Sequence, residues 1–164
     1  MTIEYNENLI QKLLSEEIDI STFVNQYEPT RGAVSTFIIN LMGKAIFNKN
    51  KDTIELLLIA ADEDGLNTNY TSILCRLLKM DWLLCYESIV MSLDEIADPD
   101  SIQTLYEVAL RTIPQDENSA FAKKCVWALK SIGTEESIKK IKLLFNETDS
   151  EILKEHIILN LKNV

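Results

Sequence analysis

Apolar residues recur along almost the whole chain at intervals of three and four, the spacing that lines one face of an α-helix, and no long stretch shows the strict alternation of a half-buried strand. Leu9, Ile10, Leu13 and Leu14 predict a first helix, and Ile20, Phe23, Val24 and Tyr27 a short second one that stops before Pro29. Val34, Phe37, Ile38, Leu41 and Ala45 line a third; Ile54, Leu57, Leu58 and Ala61 line a fourth, broken off at Asp62-Glu63-Asp64-Gly65. Ile73, Leu74, Leu77 and Leu78 predict a fifth helix, and Ile89, Val90, Leu93 and Ile96 a sixth. Asp98 can cap the next start while Pro99 takes the first helical position, where its missing N–H is harmless, and Ile102, Leu105, Tyr106 and Ala109 follow. Pro114 separates that helix from one carrying Phe121, Cys125, Ala128, Leu129 and Ile132. Gly133 suits a left-handed helix end, Thr134 can cap the following helix (Ile138, Ile141, Leu144, Phe145), and a last one holds Leu153, Ile157 and Leu161. The pattern therefore predicts about ten helices in one domain spanning residues 1–164, with no low-complexity linker.

One corner repeats. Leu93, Ile96, Asp98, Ser101, Ile102 and Leu105 recur 36 residues later as Leu129, Ile132, Thr134, Ser137, Ile138 and Ile141, with Val90 matched by Val126. A third, truncated copy sets Asn160-Leu161 in place of Ala128-Leu129. Helix pairs of this length, unable to bury their apolar faces alone, stack into right-handed solenoids. Ala128-Leu129, Ile132-Gly133 and the acidic start Glu135-Glu136, with Ile138 and Ile141 facing inward, resemble the repeats of compact HEAT-like proteins. That likeness covers residues 83–161 and implies an all-α fold, an α-α superhelix in the form of a short HEAT-like solenoid, with residues 1–82 as less regular helices.

Within the same region, Tyr86-Glu87-Ser88-Ile89-Val90, Asp98-Pro99-Asp100-Ser101-Ile102, Leu105-Tyr106, Asp116-Glu117 and Lys124-Cys125-Val126-Trp127-Ala128-Leu129 are similar to the pattern of a bacterial immunity-protein family from polymorphic toxin systems. Tyr86 stands where that family often has a histidine. The resemblance implies a small helical cytoplasmic protein that protects its producer by binding a cognate toxin domain.

Composition narrows the field of partners. Sixteen Lys and Arg against 26 Asp and Glu give the 164-residue chain a formal charge of -10, the wrong sign for a phosphate backbone or an anionic membrane. Four Gly and three Pro are few for a sandwich or barrel. The N-terminal sequence carries neither a basic start nor an apolar run, and no stretch approaches the ~20 apolar residues of a membrane span, so a cytoplasmic protein is expected. Cys75, Cys85 and Cys125, set among Leu, Ile and Val, read as reduced, buried packing residues.

Chemistry is scarce. A single histidine, His156, reads as a surface or capping residue of the last helix, and no cysteine lies three or four residues from another, so the usual zinc spacings do not occur and no metal or cofactor is expected. No glycine-rich phosphate loop is present. The acidic pairs Glu16-Glu17, Glu63-Asp64, Asp94-Glu95, Asp116-Glu117 and Glu135-Glu136 point about 100° apart on a helix and do not converge, and several sit at helix starts. No catalytic residue is expected.

The charge is concentrated in the middle. Residues 52–100 hold 11 acids, Asp64 among them, against 2 bases, whereas residues 1–51 and 101–164 carry net charges of only -1 and 0. Such a cluster is either a solvated face or, if stacked helices align it, a continuous acidic surface that steers a basic partner. Trp82 and Tyr86, spaced by one helical turn beside Asp81 and Glu87, can anchor a partner's Lys or Arg, with core packing as the rival role for Trp82; Trp127 is expected in the core. The expectation is a non-catalytic immunity protein binding a toxin domain with a basic surface through Asp81, Trp82, Tyr86, Glu87, Asp94 and Glu95, and no nucleic acid or membrane. A helical adaptor without a dedicated toxin is the first alternative, and a HEAT-like enzyme acting on a chromophore or nucleic acid the second.

Overall fold

A computed structural model of the chain describes residues 1–111 and 117–162; Pro114 and Asp116 lie outside them. The described residues form ten α-helices and three short 3-10 turns, with no strand. The helices are α1 (Thr2–Leu14), α2 (Ile20–Gln26), α3 (Ser35–Phe47), α4 (Lys51–Asp64), α5 (Thr71–Leu78), α6 (Tyr86–Ile96), α7 (Ile102–Ala109), α8 (Ala120–Ile132), α9 (Glu135–Glu147) and α10 (Glu151–Leu161). None is long and apolar enough to cross a membrane. The chain divides into two units, Met1–Ile73 with Asp81–Cys85, and Leu74–Met80 with Tyr86–Val164.

In the first unit α1 packs on α2 and α4, and α3 packs on α4. Leu9, Ile10 and Leu13, then Val34, Ile38 and Ala45, then Ile54, Leu57 and Ala61 are buried as the apolar periodicity predicts, whereas Phe37 and Leu41 are half-buried and Met42, outside the predicted stripe, is fully buried. Helix α2 departs from its stripe: Phe23 and Tyr27 turn inward with their rings 5.2 Å apart, while Ile20 and Val24 are exposed, because two turns of helix offer only one narrow face to α1.

A buried polar clasp holds this unit, and it corrects the sequence reading. Asp64, grouped there with the surface acids, is fully buried at the last position of α4. Its Oδ1 accepts from the Tyr27 hydroxyl (3.2 Å), the Thr30 hydroxyl and the Val34 N–H (3.3 Å), and its Oδ2 accepts from the Tyr70 hydroxyl (3.1 Å). Val34 is the residue that opens α3, so the carboxylate also lies at the positive end of that helix. The Asp64 carbonyl accepts from Gly32 N–H at 2.6 Å. Gly32 has φ +84°, a left-handed conformation, and a Cβ there would press on the Asn67 side-chain amide and the Gly65 carbonyl, so glycine suits the crossing. Buried Asn6 ties α1 to the same loop, donating to the Glu28 carbonyl (2.6 Å) and accepting from the Glu28 N–H (3.3 Å).

The second unit is organised around α8, which packs on α6, α7, α9 and α10 and buries Phe121, Ala122, Cys125, Val126, Ala128 and Leu129. The repeated corner is present twice in atomic detail. Asp98 accepts from Asp100 N–H at 3.1 Å and Thr134 from Ser137 N–H at 3.1 Å, each opening the next helical segment, and Pro99 occupies the first position of its turn. The equivalent serines are both fully buried; Ser101 donates to the Asp98 carbonyl (2.7 Å) and Ser137 to the Thr134 carbonyl (2.9 Å). The residue closing the preceding helix is left-handed in both copies, Ala97 at φ 50° and Gly133 at φ 66°. Leu93 and Leu129, Val90 and Val126, and Leu105 and Ile141 are all fully buried. Arg111 completes the unit by donating to the Leu78 carbonyl (2.8 Å), one of the otherwise unpaired acceptors at the end of α5.

Candidate functional site

The six residues singled out by the sequence fall in two places. Asp81 and Trp82 belong to the first unit, in the non-helical segment between α5 and α6; Tyr86, Glu87, Asp94 and Glu95 belong to the second, on α6. The one-turn spacing inferred for Trp82 and Tyr86 is therefore corrected: α5 stops at Leu78 and α6 starts at Tyr86, so the two rings do not share a helix. Asp81 is exposed and Trp82 half-buried. Tyr86 is engaged inside its own unit, its hydroxyl donating to the Met80 carbonyl (2.6 Å) and its ring lying edge-on to Phe121 at 6.0 Å.

Two of the remaining acids, Glu87 and Asp94, lie on the face shared by α6 and α8, and Glu87 meets an unpredicted partner there. Glu87, Met91 and Asp94, at i, i+4 and i+7, run along one side of α6. Opposite them on α8 stand Lys124 and Trp127. Trp127 is 48% exposed rather than in the core, and Met91 is 59% exposed. The reason is geometric: the positions three and four residues from Trp127 are Lys123, Lys124, Lys130 and Ser131, the wet side of α8.

These side chains enclose a hollow of about 210 Å³ lined by Val90, Met91, Asp94, Lys124 and Trp127. Lys124 forms an ion pair with Glu87, which neutralises one of the expected surface acids, and its Nζ lies 4.0 Å from the Met91 sulfur. Asp94 is different. Its Oδ1 is shut off from solvent and has no hydrogen-bond partner among the described residues. Glu95 is exposed beside it.

No family model, curated protein or solved structure matches the chain. The chemistry of the site must therefore be read from its own side chains.

Behind Trp127, on α10, lies His156, half-buried, with its ring edge-on to the indole at 5.3 Å between centroids and its Nε2 3.1 Å from Asn160 Nδ2. Burial, then the Lys123 charge, holds this imidazole below its ordinary pKa, so near neutral pH it is an uncharged support for the indole. The cysteines are free thiols; Cys125 is buried, Cys75 and Cys85 half-buried rather than fully so, and burial pushes the Cys75 and Cys85 thiols up, away from nucleophilic thiolates. Among the described residues no group of three His, Cys, Asp or Glu side chains is placed to hold a metal ion. The arrangement offers a flat aromatic surface, an exposed thioether and a carboxylate in need of a donor, which are groups for binding a cation.

Proposed function

We propose that this chain is a non-catalytic immunity protein of bacterial competition systems, a cytoplasmic helical repeat protein that neutralises a cognate toxin domain by covering a basic surface. The repeated corner at residues 93–105 and 129–141 supports a short HEAT-like solenoid as its frame. The observation that carries the reading is the α6–α8 face, where exposed Trp127 and Met91 flank the Asp94 carboxylate. Tryptophan is among the residues enriched in protein-binding hot spots, and carboxylates beside it complement a basic partner. At about 210 Å³ the hollow falls below the ~300–1,000 Å³ of small-molecule sites, which favours a protein side chain over a metabolite as occupant.

The net charge of -10 favours fast, salt-sensitive association with a cationic partner. The test is co-expression with the toxin domain encoded beside this gene, with growth protection and pull-down at two salt concentrations as readouts. Protection and a complex that forms more slowly at high salt are expected. Glu95→Lys is expected to slow association while leaving the melting temperature nearly unchanged. Failure of the neighbouring toxin to bind, with no protection of growth, refutes the proposal.

A further inference from the structure

We infer that the hollow between α6 and α8 is a receptor for one arginine side chain of the protein partner, its guanidinium stacked on Trp127 and paired with the solvent-open side of the Asp94 carboxylate. The inference rests on the binding role proposed above and names the chemistry of its central contact.

Three observations point to a guanidinium. Asp94 lines the hollow with its Oδ1 turned inward and the rest of its side chain partly open, so its charge stands at the wall, where a charged N–H donor pairs with it best. Trp127 presents nearly half its surface to solvent while packing T-shaped against His156, so the exposed part of the indole is held in place for a planar cation. Met91 and Val90 give the side-chain stem apolar walls. Among the described residues Lys124 is the one cation that lines the hollow, and it is paired with Glu87 rather than with Asp94. Arginine fits better than lysine because its planar fork can stack and bind a carboxylate at the same time, while an ammonium is a compact, strongly hydrated charge.

The experiment has two arms. In the first, the isotopically labelled protein is titrated with Nα-acetyl-arginine amide, and separately with the lysine and citrulline amides, following the Trp127 indole N–H and the Met91 methyl by NMR. Saturable shifts with arginine are expected, at least fivefold weaker with lysine or citrulline and at least fivefold weaker for arginine in Asp94→Asn. Trp127→Leu, read at Met91, should lose the response, and Trp127→Phe should retain part of it. Equal responses to arginine and citrulline, or an unaltered response in Asp94→Asn, overturn the inference. In the second arm, the neighbouring toxin domain should bind both Asp94→Asn and Trp127→Leu at least tenfold more weakly than the parent chain.

A toxin that binds tightly and ignores both substitutions overturns the receptor while leaving the immunity role standing. A chain that ignores the toxin yet takes the arginine amide at Asp94 overturns the immunity role and supports the receptor. A dimer of this chain that Asp94→Asn dissociates assigns the face to self-association and also overturns the inference.

Discussion

Replacing Asp64 by alanine should cost the first unit more than any surface change. The side chain is fully buried and accepts hydrogen bonds from Tyr27, Thr30, Val34 and Tyr70. Of these donors the two tyrosine hydroxyls and the Val34 N–H are themselves buried, and each left without an acceptor costs about 1–3 kcal/mol. Removing the carboxylate also removes its own desolvation cost, which offsets part of the loss, so the net destabilisation is about 3–5 kcal/mol. With a urea slope of about 2 kcal/mol per molar, the midpoint should fall by roughly 1.5–2.5 M. Urea unfolding followed by far-ultraviolet circular dichroism measures this directly. Asp64→Asn should fall about half as far, because an amide oxygen can still accept while its NH₂ meets hydroxyls that must turn round. A fall of less than about 0.5 M for Asp64→Ala would refute the clasp as a source of stability.

The paired corners predict opposite effects of matched substitutions. Ala97→Gly relieves a left-handed alanine and should raise stability by about 0.5–1 kcal/mol, whereas Gly133→Ala, where a Cβ has room but the backbone does not favour it, should lower stability by about 1 kcal/mol. Thermal melts should separate the two by several degrees; changes of the same sign would contradict the assignment. Alkali provides a further check. Burial, then the Asp64 charge, raises the hydroxyl pKa of Tyr27 and Tyr70, so the folded chain keeps protons that the unfolded chain releases near pH 10. Their contribution is intact below pH 10 and is lost above it at about 1.4 kcal/mol per pH unit for each tyrosine. Tyr70→Phe should roughly halve that slope, measured by urea midpoints between pH 9 and 11.

Most of the helical frame was legible because burial follows the apolar period. Leu74, Leu77 and Leu78, or Leu93 and Val90, are buried where a 3.6-residue stripe puts them, and Gly133-Thr134 terminates and caps as local chemistry requires. The clasp was not legible. An aspartate in Asp62-Glu63-Asp64-Gly65 looks like its neighbours until α3 and the 27–34 loop surround it, and no local pattern encodes those long-range donors. The candidate site was half legible. Charge singles out Asp94, which lines the hollow, and Glu87, which pairs with Lys124 beside it, but also Glu95, which is not in the lining; Trp127 reads as core from its immediate neighbours Val126 and Ala128, although the lysines three and four positions away mark the outer side of the helix. The one-turn spacing of Trp82 and Tyr86 extends helical geometry across a segment where no helix runs.

The position of Trp127 has a practical consequence. The chain contains two tryptophans, and the other, Trp82, lies in the first unit. Replacing Trp82 by phenylalanine would leave Trp127 as the single tryptophan, lining the hollow, its selectively excited emission exposed to quenching by whatever enters. Occupancy of this face would then become visible in unlabelled protein, in real time and at micromolar concentration, before any partner has been chosen.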